Sequence, residues 1–130
     1  MKHLAFGPGA MGFFMYMGAL SALIDKSALN DLESLSGASA GGLISYLYII
    51  TQGNIQAMFD YTMGIPIDTI MKPNIKVLVK SYGLISTKKI RKVLEEGTQK
   101  FLKRRDVTFK ELYDLYPIKL HVAACCVDLK

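Results

Sequence analysis

The sequence predicts an α/β fold in which a central, mainly parallel sheet lies between helices. Twice in the first half of the chain, a short strand-like segment runs into a Gly-rich turn and then into an apolar helical segment. A third strand-like segment near residue 120 follows three further helical segments. Strands that alternate with helices in this way are typical of α/β folds with a parallel sheet.

Length and composition fit one domain spanning residues 1–130. Hydrophobic residues make up 51% of the chain and charged residues 21%, which supplies a core and argues against a disordered tail. The net charge of +5 favours an anionic partner, either a phospholipid surface or nucleic acid. Cys125 and Cys126 are neighbours and the only cysteines, so we expect no disulfide framework and a cytoplasmic location.

The first element is predicted to be a strand and not a targeting segment. The apolar stretch through Ile24 could be a signal peptide or a short membrane span, but the Gly-Pro-Gly sequence at 7–9 would break such a helix. We therefore expect a buried strand at 4–6, a turn and a helix. Spacings of three and four place the inner face of this helix at Phe13, Phe14, Met17, Leu20, Leu23 and Ile24.

The middle of the chain is predicted to hold a strand, two helices and a loop. Residues 32–36 form the second strand, and residues 41–52, apolar nearly all round, form a buried helix capped by Gly53. Asn54 can cap the next helix. The inner face of that helix would carry Ile55, Met58, Phe59 and Met63. A Gly-Ile-Pro sequence at 64–66 then opens a loop past Pro73, which we expect to act as a lid or substrate wall.

Two further helices and a strand complete the predicted elements. Thr87 is expected to cap a helix over 88–104, and Thr108 a shorter helix that runs to Tyr116 and ends before Pro117. Residues 118–127 alternate before a fully apolar run, so we predict a central strand there.

A candidate nucleophile lies in the turn between the second strand and its helix. Residues 37–41 (GASAG) fit the G-x-S-x-G pattern, in which a sharp strand-to-helix turn lifts the serine hydroxyl clear of the sheet. Larger side chains at Gly37 or Gly41 would collide with neighbouring backbone. Ser39 would stand at the positive end of the helix, with the Ala40 N–H as an oxyanion donor. For this pentapeptide alone, a Ser/Gly-rich loop before an ordinary helix is the alternative.

The turn after the first strand carries a second Gly-rich motif, residues 7–12 (GPGAMG), which ends at Gly12. Its backbone N–H groups can be presented to an anion. The same spacing is the dinucleotide-binding fingerprint of Rossmann folds, which requires an acidic residue about 20 positions later, at the end of the second strand. Asp31 has nearly that distance but would precede the second strand, and this interpretation leaves Ser39 without a role.

Together, in this order and separation, the two motifs resemble those of the patatin-like phospholipase family. Residues 6–12 (FGPGAMG) look like the family's Gly-rich oxyanion loop, and residues 37–42 (GASAGG) look like its nucleophile elbow. Residues 108–113 (TFKELY) and the strand that follows are similar to the segment that leads to a central strand of the family. The likeness therefore extends over the whole chain.

This resemblance implies a three-layer α/β/α fold and a Ser-Asp dyad, in which an aspartate activates Ser39 without a histidine. It implies a lipid acyl hydrolase that acts on phospholipids or other fatty-acyl esters and needs no cofactor. The oxyanion hole would be formed by backbone N–H groups, for which the candidates are Gly7, Gly9, Ala10 and Ala40.

Three features depart from the family's pattern. Pro8, which has no N–H, stands where the family has a third glycine, and Met11 stands where it has a basic residue. The family's catalytic aspartate lies in an Asp-Gly pair downstream of the last strand, and this sequence contains no Asp-Gly pair. Asp128 is followed by Leu129, so we do not assign it the role. We expect the chain to be the N-terminal part of the family domain.

The two histidines are not expected to replace the missing acid as a base. His121 is late enough in the chain for a serine–histidine pair, but its place on an alternating strand favours a structural role. His3 lies at the terminus. Neither histidine forms a metal-ligand spacing with a cysteine or an acidic residue, so we predict no metal.

Basic residues cluster on or just past the long helix predicted over 88–104. They are Lys88, Lys89, Arg91, Lys92, Lys100, Lys103, Arg104 and Arg105, opposed by Glu95 and Glu96. The cluster is either a solvated face or a surface that docks onto an anionic bilayer. Nucleic acid is not an expected partner, because the aromatic residues are not interleaved with the basic ones.

Three functions follow from the sequence. The first is an esterase in which Ser39 attacks an acyl carbonyl. The second is a non-catalytic lipid-surface or interaction module that keeps the elbow as scaffold, and the third is a Rossmann-type nucleotide binder.

Overall fold

The structure, a computed structural model, describes residues 1–70, 72–73 and 87–125. The chain divides into two units, which we call the sheet unit (Met1–Phe59 with Thr108–Lys130) and the helical unit (Asp60–Val107). Helices and a three-stranded parallel sheet together confirm the predicted α/β class.

The sheet consists of β1 (His3–Phe6), β2 (Ser34–Ala38) and β3 (Lys119–Ala123), in that order across the sheet. All neighbours are parallel, and Gly37 of β2 is in register with Phe6 of β1 and with Val122 of β3. The carboxyl ends of the three strands therefore lie at one edge of the sheet, and the segments that follow β1 and β2 leave from this edge.

The second strand lies two residues further along the chain than predicted. The prediction of 32–36 ended the strand where the Gly-rich turn was expected to begin, but Gly37 and Ala38 both stay in the ladder with β3. Ser39 consequently follows the last strand residue directly.

The strand predicted at 118–127 is confirmed over Lys119–Ala123, but residues 124–125 are not part of it and the strand is not central among the described residues. β3 pairs only with β2 among the described residues, and Val122 is 49% exposed. Apolar alternation indicates that a segment suits a buried strand, but the number of strands that pair with it depends on the rest of the fold. Residues 126–127 of the prediction lie outside the described residues.

In the sheet unit, a helix follows each of the two Gly-rich motifs. A short 3-10 helix (Ala10–Gly12) leads into α1 (Phe13–Asp25), and β2 leads into α2 (Ala40–Ile50). α2 is buried on nearly all sides, as predicted. On α1 the expected inner residues Met17 and Leu20 are buried, but Phe14 is 36% exposed, so its assignment to the inner face is wrong.

Two of the three predicted capping residues in the sheet unit are confirmed. The Asn54 side chain accepts a hydrogen bond of 3.0 Å from the Ala57 N–H at the start of α3 (Ile55–Met63). The predicted cap Gly53 lies one residue too late, because α2 ends at Ile50 and Gln52, with a φ of 52°, takes the first left-handed position after the helix. Before the helix Phe109–Leu115, Thr108 and Glu111 form a complete capping box.

The helical unit contains the end of α3, α4 (Ile67–Ile70) and α5 (Thr87–Leu102), so the helix Phe109–Leu115 is α6. Tyr61 packs against Phe101 with ring centroids 5.7 Å apart, and its hydroxyl donates to the Val93 carbonyl. Thr62 is buried as well. The predicted inner-face residues Phe59 and Met63 are 47% and 63% exposed, so their assignment is wrong, whereas Met58 is buried as predicted.

Two other predictions for this region are revised or lie partly outside the structure. α5 begins at Thr87 itself, so Thr87 is its first residue and not its cap. Only 64–70 and 72–73 of the predicted lid are described, and α4 lies within them. Among the described residues, no helix combines the length and the apolar character needed to cross a bilayer.

Candidate active site

Ser39 occupies a sharp turn between β2 and α2. Its backbone has φ 51° and ψ −122°, and the residue is exposed. For a residue with a side chain, such a conformation costs on the order of 1–3 kcal/mol and persists only where the surrounding structure enforces it. The predicted strained turn, with the serine standing clear of the sheet, is therefore present.

The two flanking glycines are required because the backbone segments around them are in contact. A Cβ at Gly37 would lie 2.2 Å from the carbonyl carbon and oxygen of Gly41. A Cβ at Gly41 would lie 2.3 Å from the Phe6 carbonyl oxygen and 2.7 Å from that of Gly7. The predicted steric reason for Gly37 and Gly41 is confirmed, and the second contact joins the two Gly-rich motifs.

The start of α2 presents free backbone donors beside Ser39. The Leu43 N–H donates to the Ser39 carbonyl at 3.1 Å, which closes the first helical turn. The Ala40 N–H has no hydrogen-bond acceptor among the residues that the structure describes. Such unpaired N–H groups and the helix dipole favour negative charge at this position.

The Gly-rich motif after β1 also presents backbone donors. Gly9 has φ −141° and ψ 0°, Ala10 has a positive φ of 42°, and the Gly12 N–H donates to the Gly9 carbonyl at 2.6 Å. The N–H groups of Gly9 and Ala10 have no acceptor in the described part of the chain. A Cβ at Gly12 would meet nothing within 4 Å, so the packing of the described residues does not require that glycine.

Both motifs lie at the carboxyl edge of the sheet, and the Gly7 carbonyl touches Gly41. Gly7 of the first motif and Gly41 of the second are thus close neighbours, and the exposed Ser39 hydroxyl lies beside the unpaired Ala40 N–H. This arrangement suits attack on an acyl carbonyl, because the donors can stabilise the oxygen that becomes negative.

The remaining candidate residues lie away from this region or in the wrong position. His3 lies at the start of β1, where its Nδ1 is 2.8 Å from the Ser34 hydroxyl. His121 is exposed on β3 in register with Ser36. Asp31 lies in an exposed turn before β2, and not at the end of that strand as a Rossmann site requires. No His, Cys, Asp and Glu group of three or more among the described residues could hold a metal ion.

One contact residue of the Gly-rich motif was not found by sequence reasoning. The Tyr16 hydroxyl, on α1, donates to the Gly7 carbonyl at 3.0 Å. The only sequence signal is its position four residues after Gly12, where a long side chain on a helix leans back toward the preceding turn.

Comparison of the chain with protein-family models, with curated proteins and with solved structures found no match. The chemistry of the site is therefore inferred from its geometry.

Proposed function

We propose that the protein is a serine acyl hydrolase of the patatin-like type, which cleaves fatty-acyl esters of phospholipids or other lipids. The observation that carries this proposal is the exposed Ser39 hydroxyl on a turn with positive φ at the start of α2, next to the Gly-rich loop. The resemblance of both motifs to the patatin-like family supports the same conclusion, as well as a three-layer α/β/α fold.

In this mechanism the Ser39 Oγ attacks the acyl carbonyl carbon and loses its proton, and the carbonyl oxygen becomes an oxyanion. The N–H groups of Gly9, Ala10 and Ala40, with Gly7 as a further candidate, donate to that oxyanion. The base of the dyad takes the proton of Ser39 and passes it to the alcohol of the ester, which leaves, and water hydrolyses the acyl-enzyme. Loss of one such donor typically lowers kcat by about 10²–10³-fold.

The general base of the dyad is assigned to no residue of this chain. The patatin-like family supplies it from an Asp-Gly pair, which the sequence does not contain. The chain therefore holds the nucleophile and the oxyanion donors of the proposed site.

The absence of an Asp-Gly pair also favours a second candidate function, a lipid-surface or interaction module without turnover. In this module the Ser39 turn is retained as scaffold. The two candidates differ in chemistry, since only the hydrolase forms and releases an acyl-enzyme.

Both candidate functions include docking onto an anionic bilayer. The uneven distribution of charge along the chain supports such docking. Residues 60–107 carry eleven Lys and Arg against five Asp and Glu, a net charge of +6, whereas the rest of the chain carries five against six. On α5, Arg91 pairs with Glu95 at 2.8 Å and Lys92 lies 3.6 Å from Glu96. The basic residues predicted on and after this helix are all exposed.

Binding to vesicles tests this surface. Lys88→Glu with Arg105→Glu should weaken binding to phosphatidylserine-containing vesicles by at least about tenfold at low salt, because each cation contributes about 1 kcal/mol near an anionic surface. The matched control is Lys26→Glu with Lys119→Glu, which makes the same charge change in the sheet unit. Equal losses in both double variants would contradict docking through α5.

Labelling and turnover together test the proposed hydrolase. Wild type, Ser39→Ala and the control Ser36→Ala, which lies in β2, would be treated with a fluorophosphonate and assayed on phospholipid and short-chain esters. We expect labelling that Ser39→Ala abolishes and Ser36→Ala retains, and hydrolysis with the same pattern once an aspartate is present to serve as the base. Labelling without hydrolysis even then would favour the second candidate, and labelling that persists in Ser39→Ala would exclude Ser39 as the nucleophile.

A further inference from the structure

Tyr16 connects the Gly-rich loop to the Ser39 turn. We propose that Tyr16 is a positioning residue, which holds residues 7–9 against the start of α2 and so fixes the backbone donors beside Ser39. Its effect on catalysis rests on the proposed hydrolase function, whereas its effect on the loop does not.

The Gly7 carbonyl oxygen is the centre of this connection. It accepts a 3.0 Å hydrogen bond from the Tyr16 hydroxyl, and it also lies 2.7 Å from the point that a Gly41 Cβ would occupy. One carbonyl is thus held between α1 and the first turn of α2. A shift of this carbonyl would move the loop relative to Ser39.

The ring of Tyr16 covers the next part of the loop. Its centroid is 5.1 Å from that of Phe6, the last residue of β1. A Cβ at Gly9 would lie 2.8 Å from the Tyr16 hydroxyl oxygen and 2.9 Å from Cε2 of the ring. A residue larger than glycine at position 9 would therefore collide with the ring of Tyr16.

Other described hydrogen bonds of the loop lie within it or at its junction with α1. The Gly12 N–H donates to the Gly9 carbonyl, and the Phe13 N–H donates to the Ala10 carbonyl. Pro8 has no N–H to contribute, and Ala10 has a strained positive φ of 42°. Oxyanion donors must be held to within about 0.5 Å of their productive positions, which requires support from outside the loop.

The variant Tyr16→Phe tests the role, because it removes the hydroxyl and keeps the ring. The matched control is Tyr113→Phe, which removes the hydroxyl of a tyrosine that is 43% exposed on α6. Amide hydrogen exchange would be followed for residues 7–12 and for α2 in both variants. We expect faster exchange in residues 7–12 of Tyr16→Phe only, with the exchange of α2 and the unfolding midpoint unchanged.

Fluorophosphonate labelling of Ser39 supplies the catalytic readout. We expect Tyr16→Phe to lower the maximal labelling rate by about ten- to a hundredfold, as displacements near 1 Å do, while the probe concentration for half-saturation stays the same. If Tyr16 had a purely structural role, Tyr16→Phe would lower the unfolding midpoint. It would not lower the maximal labelling rate while the probe concentration for half-saturation stays the same.

The two readouts separate failure of this inference from failure of the proposed function. Wild-type exchange rates in the loop of Tyr16→Phe would overturn the positioning role, whether or not Ser39 reacts. Faster exchange with an unchanged labelling rate would overturn the link between the loop position and Ser39. An unlabelled wild type would reject the proposed hydrolase, and the exchange data would still decide whether Tyr16 holds the loop.

Discussion

Replacing Gly37 by alanine is expected to destabilise the protein and to disable the Ser39 turn. The added Cβ would lie 2.2 Å from the carbonyl carbon and oxygen of Gly41 and 2.4 Å from the nitrogen of Gly42. All three are backbone atoms at the start of α2, so no side-chain rotation can relieve the clash. The end of β2 and the first turn of α2 must therefore separate.

The size of the effect follows from these distances. Ordinary contact begins at 3.4 Å, so the two backbone segments must move apart by about 1.2 Å, the difference between 3.4 Å and 2.2 Å. Insertion of one methyl group into a packed interior costs about 1–3 kcal/mol, and we expect the upper value because backbone has to move. A loss of about 3 kcal/mol should lower the thermal midpoint by about 10 °C. Displacement of Ser39 by about 1 Å should slow its reaction by about 10²-fold.

Chemical denaturation followed by circular dichroism measures the stability, and the rate of fluorophosphonate labelling measures the reactivity. The control is Gly18→Ala, because a Cβ at this exposed position in α1 meets nothing within 4 Å. Alanine there should stabilise the helix by about 0.5–1 kcal/mol. The steric argument is refuted if Gly37→Ala unfolds at the wild-type denaturant concentration, or if Gly18→Ala loses as much stability as Gly37→Ala.

Three further predictions concern backbone strain, helix capping and a buried phenol. Ser39→Gly should be about 1 kcal/mol more stable than Ser39→Ala in denaturation, because glycine relieves the positive φ; equal stabilities would contradict the strain. Thr108→Ala should cost about 1 kcal/mol and Thr108→Ser much less, since the hydroxyl caps α6; equal losses would count against the cap. Burial, and then Tyr116, raise the pKa of Tyr48 above its ordinary value of 10.0, so its neutral form stabilises the folded state. That contribution is complete below pH 10 and is lost as the pH rises above 10. Tyr48→Phe should therefore make the unfolding free energy fall less steeply at alkaline pH. An unchanged slope would argue against a raised pKa of Tyr48.

The Ser39 turn could be predicted from sequence because its determinants are local. Gly37 and Gly41 flank Ser39 within five residues, and their close approach is a consequence of a strand that turns directly into a helix. The capping box of Thr108 and Glu111 is local in the same way. Each of these features depends on backbone geometry that a short segment can specify alone.

Features that depend on distant segments could not be predicted. β3 has the apolar alternation of a buried strand, yet the strand is at the edge of the described sheet because its neighbours are set elsewhere in the chain. Phe59 and Met63 fit the helical spacing of an inner face, yet they are exposed while Met58 and Thr62 are buried. The contact of Tyr16 with Gly7 depends on how α1 leaves the loop, and the position of Tyr16 four residues after Gly12 is its only sequence signal.

The most direct test of the central claim is to locate the phosphonyl adduct by mass spectrometry. After reaction of the wild-type chain with a fluorophosphonate, fragmentation should place a single adduct on Ser39, since its exposed hydroxyl lies beside unpaired backbone donors. An adduct on another serine, with Ser39 unmodified, would contradict the account.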